Sequence, residues 1–72
     1  MYVIMNGERV AELREERGLD KRALAHAAGI SAPTVERVEG EEPVRFSTGR
    51  KVAAALGVEP TRSLGRPLRR RS

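Results

Sequence analysis

The 72 residues form one domain with a thin core, because a chain this short buries only about 60% of the surface of its unfolded form. The chain has one Phe, one Tyr, no Trp and no Cys, which excludes disulfides and Cys zinc sites and suits closely packed short helices better than an enzyme cleft. The net charge of +4 comes entirely from four C-terminal arginines, since the residues before them carry equal numbers of acidic and basic side chains. A neutral body of this kind can bind a polyanion only if its basic residues share one face.

The first predicted helix begins after Asn6, a plausible N-cap, and ends at Arg17 and Gly18. Val10 and Leu13 form its inward face. The outer positions have mixed charge, which is typical of a solvated helix face: Glu8, Arg9, Glu12, Arg14, Glu15 and Glu16.

The second predicted helix runs from Lys21 to Ala28 with Asp20 as its N-cap. Its inward stripe consists of Leu24, Ala25 and Ala28. Gly29 ends it, because a very short turn between helices needs a residue that accepts a left-handed backbone. His26 falls on the outer face, and a lone histidine cannot build a metal site.

The third predicted helix starts at once after the turn, with Ser31 as its N-cap and Pro33 in its first turn. Val35 and Val38 face inward, and Gly40 ends the helix. A connector over residues 41–44 contains Pro43. The fourth helix then begins at Ser47 or just before it, and Gly57 closes it after the inward residues Val52, Ala53 and Leu56.

The two ends of the chain carry weaker signals. Residues 1–5 form an N-terminal arm whose apolar run Tyr2 to Met5 is too short for a membrane span; it is an extended arm, a strand added to a partner or a frayed start. Residues 6–64 form the helical domain, in which Pro60 to Leu64 make at most one more turn. Residues 65–72 form a basic tail that we expect to be disordered. The predicted fold is all-α, a compact bundle of four to five short helices.

The buried pattern around the glycine turn resembles the phage repressor and Cro type of helix-turn-helix, the XRE-like family: Leu24, Ala25, Ala28, Gly29, Ile30, Val35 and Val38. The segment LREERGLDKRALAHAAGISAPTVERVEG is similar to the family's first three helices, and RFSTGRKVAAALGVEP is similar to its fourth. The resemblance covers Gly7 to Pro60. It implies a lambda-repressor-like DNA-binding domain.

In relatives, the start of the third helix and a position about two turns in reach base edges. The resemblance therefore implies DNA base contacts by Ser31, Ala32, Pro33, Glu36 and Arg37. Arg37 is the best candidate for direct readout, since arginine can donate two parallel hydrogen bonds to guanine; the alternative is a surface ion pair with Glu36 or Glu41. Ala32 and Pro33 stand where many relatives have polar, base-reading side chains, so sequence specificity would also depend on DNA shape.

Phosphate contacts are implied at the starts of the second and fourth helices, where helix N-termini present free N–H groups. The candidates there are Lys21, Arg22, Arg45, Ser47, Thr48 and Arg50, and Thr34 on the third helix is a further candidate. The tail either makes further DNA contacts or is a solubilising end. The contacts would come from its four arginines, Arg66, Arg69, Arg70 and Arg71.

The resemblance implies a sequence-specific regulator of transcription, a repressor like phage Cro or an immunity repressor, that inserts helix 31–39 into the major groove of double-stranded DNA. We expect no enzyme activity, cofactor, metal, membrane or small-molecule substrate, and a cytoplasmic location. Relatives usually bind as homodimers; a dimer here would use the region Val58 to Leu68 or the Tyr2 to Met5 arm, and monomeric binding stays open. The alternatives are an antitoxin-type protein-interaction module, favoured by apolar Ala32 and Pro33, and a nonspecific architectural DNA binder that uses the arginine tail.

Overall fold

Four helices and three short strands make up the part of the chain that the computed structural model describes, residues 1–58 and 65–67. In chain order the elements are β1 (Tyr2–Met5), α1 (Gly7–Glu16), α2 (Lys21–Ala28), α3 (Ala32–Glu39), β2 (Val44–Arg45), α4 (Phe46–Leu56) and β3 (Gly65–Pro67). α2 packs against α3 and α4, and α1 packs against α3. The predicted helical bundle is confirmed. No helix in these two ranges is long and apolar enough to cross a membrane.

Side-chain caps start the first three helices where the sequence predicts them. Asn6, Asp20 and Ser31 each accept a hydrogen bond from the backbone N–H three residues further on, at 3.1, 2.7 and 3.3 Å. Each bond satisfies one of the helix N–H groups that has no partner within the helix. α4 differs, because its N-cap residue Arg45 makes no capping bond.

The turn between α2 and α3 is a tight glycine turn. Gly29 has a left-handed backbone with φ +73°, and the next N–H, that of Ile30, donates to the carbonyl of Ala25 at 2.9 Å. Ile30 is half-buried and packs against the core. The short reversal that the sequence predicts is therefore present, and it places α3 directly across α2.

The end of α3 uses an unusual residue for its reversal. Gly40 is the C-cap, but its φ is −84°, and the left-handed conformation falls on Glu41 with φ +60°. A glutamate in this region carries steric strain. Its carboxylate accepts a hydrogen bond from the backbone N–H of Gly7 at 2.9 Å, so the reversal also ties α3 to the start of α1.

The core contains every inward-facing residue predicted from the helices, together with three residues from strands that the sequence did not identify. Those three are Val3, Met5 and Val44. Val3 and Met5 pack β1 against α4, close to Gly49. Residues 1–5 are therefore part of the domain and not an arm outside it.

The three strands form a small antiparallel sheet in the order β2-β1-β3. Tyr2 pairs with Arg45 and Val3 with Val44 on one side of β1, and Met5 pairs with Gly65 on the other. The sequence left residues 2–5 open between three interpretations and predicted disorder from residue 65. Residues 2–5 and 65–67 instead form strands within one chain, because the backbone groups on each edge of β1 would otherwise have no partner. The predicted turn at 60–64 and residues 68–72 lie outside the described residues.

An ion pair joins α1 to the end of α3. Arg14 donates from Nε to Glu39 Oε2 at 2.7 Å and from Nη2 to Oε1 at 3.3 Å, and it also donates to the carbonyl of Leu19 at 3.0 Å. The hydrogen bond to Glu39 raises the pKa of Arg14 above its usual value. The sequence placed Arg14 on the solvated face of α1. That prediction is wrong, because its side chain is only 12% exposed.

Candidate nucleic-acid interface

The outer face of α3 presents the residues predicted to contact bases. Val35 and Val38 hold the inner face in the core. Ala32 is half-buried, while the other four are exposed: Ser31, Pro33, Glu36 and Arg37. The helix therefore offers these side chains to a large ligand on one side of the molecule.

An open groove lies between α3 and the start of α4, with a cavity volume of about 250 Å³. Four predicted contact residues line it, Thr34 and Arg37 from α3 and Arg45 and Thr48 from the start of α4. The remaining lining residues are Tyr2, Pro43 and Val44. Two arginines and two threonines thus line one concave surface, and these are side chains that phosphate recognition uses.

The two groove arginines have no carboxylate partner in the part of the chain that the structure describes. Within the described residues, no Asp or Glu oxygen lies within 4.0 Å of Arg37 or Arg45. The ion pair of Arg37 with Glu36 or Glu41, considered as an alternative from the sequence, is absent; Glu41 turns instead to the N–H of Gly7. The guanidinium donors of Arg37 therefore remain available to a ligand.

Ser31 and Thr34 form a hydroxyl pair at the start of α3. Their Oγ and Oγ1 atoms are 2.7 Å apart, and Ser31 Oγ also accepts the backbone N–H of Thr34. One hydroxyl proton is used between them, so the pair keeps one O–H for an outside acceptor, whichever side chain donates. The base contact predicted for Ser31 and the phosphate contact predicted for Thr34 would therefore compete for this one O–H donor.

The start of α4 is suited to an anion. Its first turn has no acidic residue and no side-chain cap. Among the described residues, only the N–H of Phe46 in this turn is bonded across the fold, to the carbonyl of Met1 at 2.9 Å. The free N–H groups and the helix dipole favour negative charge there. Ser47 in this turn and Arg50 just after it are exposed, although neither lines the groove.

Other predicted contact residues lie away from the groove or outside the described residues. Lys21 and Arg22 are exposed in the first turn of α2 but do not line the groove. The backbone of Arg66 lies in β3. The other tail residues, Arg69, Arg70 and Arg71, fall outside the described part of the chain.

Tyr2 lines the groove, although the sequence did not indicate it as a site residue. It is 47% exposed, and the guanidinium carbon of Arg45 lies 5.8 Å from the centre of its ring. The sequence showed only an aromatic residue in an apolar run, because the pairing of β1 with β2 joins residues far apart in the chain.

No metal site accompanies the groove: within residues 1–58 and 65–67, no three His, Cys, Asp or Glu residues are arranged to hold a metal ion. His26 is exposed on α2, as predicted. The chemistry of this surface is that of fixed positive charge and hydrogen-bond donors.

The comparisons with known proteins agree with this geometry. The family model described as a helix-turn-helix domain matches residues 7–64. The crystal structure of the restriction-modification controller protein C.AhdI from Aeromonas hydrophila is similar, with a TM-score of 0.69 and 38% identity over 75% of this chain and 83% of that one. No curated protein matches the sequence significantly. The chain therefore belongs to the XRE-like helix-turn-helix family and is a DNA-binding transcription regulator.

Proposed function

We propose that the protein is a sequence-specific repressor that binds double-stranded DNA with α3 in the major groove. The observation that carries the proposal is the groove beside α3, where Arg37 and Arg45 lie without a carboxylate within 4.0 Å in the described residues. The proposed role requires no catalysis, cofactor or small molecule. The similarity to C.AhdI, a restriction-modification controller protein, favours the genes of a restriction-modification system over those of a phage as the target of regulation.

In this proposal Arg37 reads a base and the other groove residues hold the backbone. A guanidinium that donates two bonds to guanine O6 and N7 discriminates by about 1–3 kcal/mol. Thr34, Arg45 and Thr48 would contact phosphate, together with the exposed basic residues that begin α2. These contacts set the orientation of α3 without reading sequence.

The start of α3 would supply less direct readout than Arg37. Ala32 and Pro33 can contact a thymine methyl but donate no side-chain hydrogen bond. Glu36 repels phosphate and would be tolerated where it accepts from a cytosine amine. We therefore propose that the preferred site depends strongly on one position, the one that Arg37 faces, and on DNA shape elsewhere.

We further propose a homodimer on a pseudo-palindromic site, with half-sites about 34–36 Å apart. β1 is not a suitable strand to lend to a partner, because both of its edges are paired within the chain and Val3 and Met5 are buried. This argues against the use of residues 2–5 as a dimerisation arm.

The test is selection from a randomised duplex pool at two salt concentrations, with the wild type, Arg37→Ala and Arg9→Ala. Arg9 lies on α1 and does not line the groove, and the substitution removes the same charge. We expect one enriched motif for the wild type and Arg9→Ala, and loss of information at one position for Arg37→Ala. Sequencing of the retained duplexes gives the result.

Two other results would contradict the proposal. Retention without an enriched motif, lost at moderate salt, would favour an architectural binder that uses the arginine tail. No retention at either salt concentration would favour a protein partner and an antitoxin-type role.

A further inference from the structure

We propose that Tyr2 positions Arg45 to bind a DNA backbone phosphate, which makes β1 part of the DNA-binding surface. This inference rests on the proposed function. It concerns a residue outside the helix-turn-helix itself, and residues 7–64, which the family model matches, do not include it.

The first step is the backbone. Tyr2 and Arg45 are direct partners in the pairing of β1 with β2, and the next N–H, that of Phe46, donates to the carbonyl of Met1. The main chain of Arg45 is therefore held by β1 at the point where α4 begins. This bond also fixes the direction in which the first turn of α4 presents its free N–H groups.

The second step is the side chain. The Arg45 guanidinium lies over the Tyr2 ring, 5.8 Å from its centre, within the range of a cation–π contact. Without this contact Arg45 would be an exposed, flexible side chain with no carboxylate partner in the described residues. An arginine already held in place loses less conformational freedom when a ligand binds.

The third step is the chemistry of the ligand. A carboxylate that held Arg45 would use its N–H donors and cancel its charge. An aromatic face does neither, because the guanidinium keeps its charge and the N–H donors at its edge. The same groove contains Arg37, Thr34 and Thr48, so the ligand that fits is a phosphate diester that accepts bonds from several sides.

The experiment is a double-mutant cycle on the duplex selected from the pool. The variants are Tyr2→Val, which removes the ring but keeps a high strand propensity, Tyr2→Phe, which keeps the ring, Arg45→Ala, and Tyr2→Val with Arg45→Ala. Ile4→Ala is the control for a general loss of packing in β1. The affinity is measured by titration at several salt concentrations, and thermal unfolding is measured for each variant.

We expect Tyr2→Val to weaken binding about two- to fivefold and Tyr2→Phe to bind like the wild type. Arg45→Ala should weaken binding and lower the salt slope by about one, as the loss of a phosphate contact does. In the Arg45→Ala background, Tyr2→Val should cause no further loss. A role of Tyr2 in folding alone would produce the same loss in both backgrounds.

The inference is overturned if the wild type selects a motif while Tyr2→Val binds like the wild type, or if its loss is equal in both backgrounds. An Arg45→Ala variant that binds normally also overturns it. In these cases the proposed function stands. If the wild type selects no motif, the proposed function has failed, and this inference fails with it.

Discussion

At Gly7, the backbone of α1 meets the end of α3 with no room for a side chain. A Cβ atom there would overlap the carbonyl of Glu39. The N–H of Gly7 donates to the carboxylate of Glu41, so the close approach also supplies a hydrogen bond between the two helices. A residue that looks like a weak helix starter in the sequence is therefore required by tertiary packing.

Gly7→Ala should lower the free energy of unfolding by about 2–3 kcal/mol, because backbone must move to admit the methyl group. Gly49→Ala is the matched comparison, a second buried helical glycine. Its Cβ would lie 3.0 Å from Met5 Sδ and 3.2 Å from Val3 Cγ2, so side chains and not backbone must move, and alanine favours the helix by about 1 kcal/mol. Urea unfolding measures both variants, and equal losses would contradict the packing described here.

The site was predictable at the residue scale only where the sequence resembles relatives. Arg37, Thr34, Arg45 and Thr48 were identified through their positions in the helix-turn-helix, and the fold brings them into one groove. Tyr2 was missed because no local pattern connects it with Arg45. Their proximity follows from strand pairing, which the sequence does not reveal.

At the scale of elements, the Arg14–Glu39 pair connects α1 to α3, the helix that carries the predicted base contacts. The two side chains are only 12% and 10% exposed, and the guanidinium donates to both carboxylate oxygens. The second connection between these helices is the bond from Gly7 to Glu41. The end of α3 is therefore held at two points.

Arg14→Ala should lower the free energy of unfolding by about 3 kcal/mol, because it leaves Glu39 mostly buried without its partner. The exposed pair of Arg9 with Glu12 provides the control, and Arg9→Ala should cost less than about 1 kcal/mol. Similar losses for the two variants in urea unfolding would show that the buried pair contributes no more than a surface pair.

The pH dependence of this contribution follows from the direction of the pKa shift. The folded pKa of Arg14 is raised, so its stabilising effect is fully present below the usual pKa of arginine and falls only as the pH rises through the raised value. The part of the stability difference between the wild type and Arg14→Ala that comes from the charge of Arg14 should therefore stay constant between about pH 6 and pH 9.

The helices were predictable from the sequence and the strands were not, for a physical reason. Helix caps such as Asp20 and Ser31 and the inward stripes act within a few residues, so a single chain displays them. The segment Tyr2–Met5 is apolar throughout and shows no alternation, although its residues alternate between buried and more exposed positions. Its partners in β2 and β3 are distant in the chain.

At the scale of the whole molecule, the core is small, and β1 supplies a substantial part of it. Val3 and Met5 are each 1% exposed, and they fill the space between the sheet and α4. Domains of this kind have total stabilities of about 5–15 kcal/mol, so one large core side chain is a large fraction of the total.

Met5→Ala should lower the free energy of unfolding by about 2–4 kcal/mol, since the cavity cannot collapse fully. Ile4→Ala, on the other face of the same strand, should cause a clearly smaller loss because Ile4 is only half-buried. For a domain of this size each kcal/mol shifts Tm by about 4–8 °C, so thermal unfolding separates the two variants. Equal shifts would mean that β1 does not insert Met5 into the core.

The position of β1 between β2 and β3 has a consequence for biosynthesis. The central strand is translated before both of its partners, and the second partner, Gly65–Pro67, is translated only after α1 to α4. Pairing between such distant segments is slow to form. During translation the helices can therefore assemble first, and the edge of β1 that pairs with β3 stays unpaired until residues 65–67 have been synthesised.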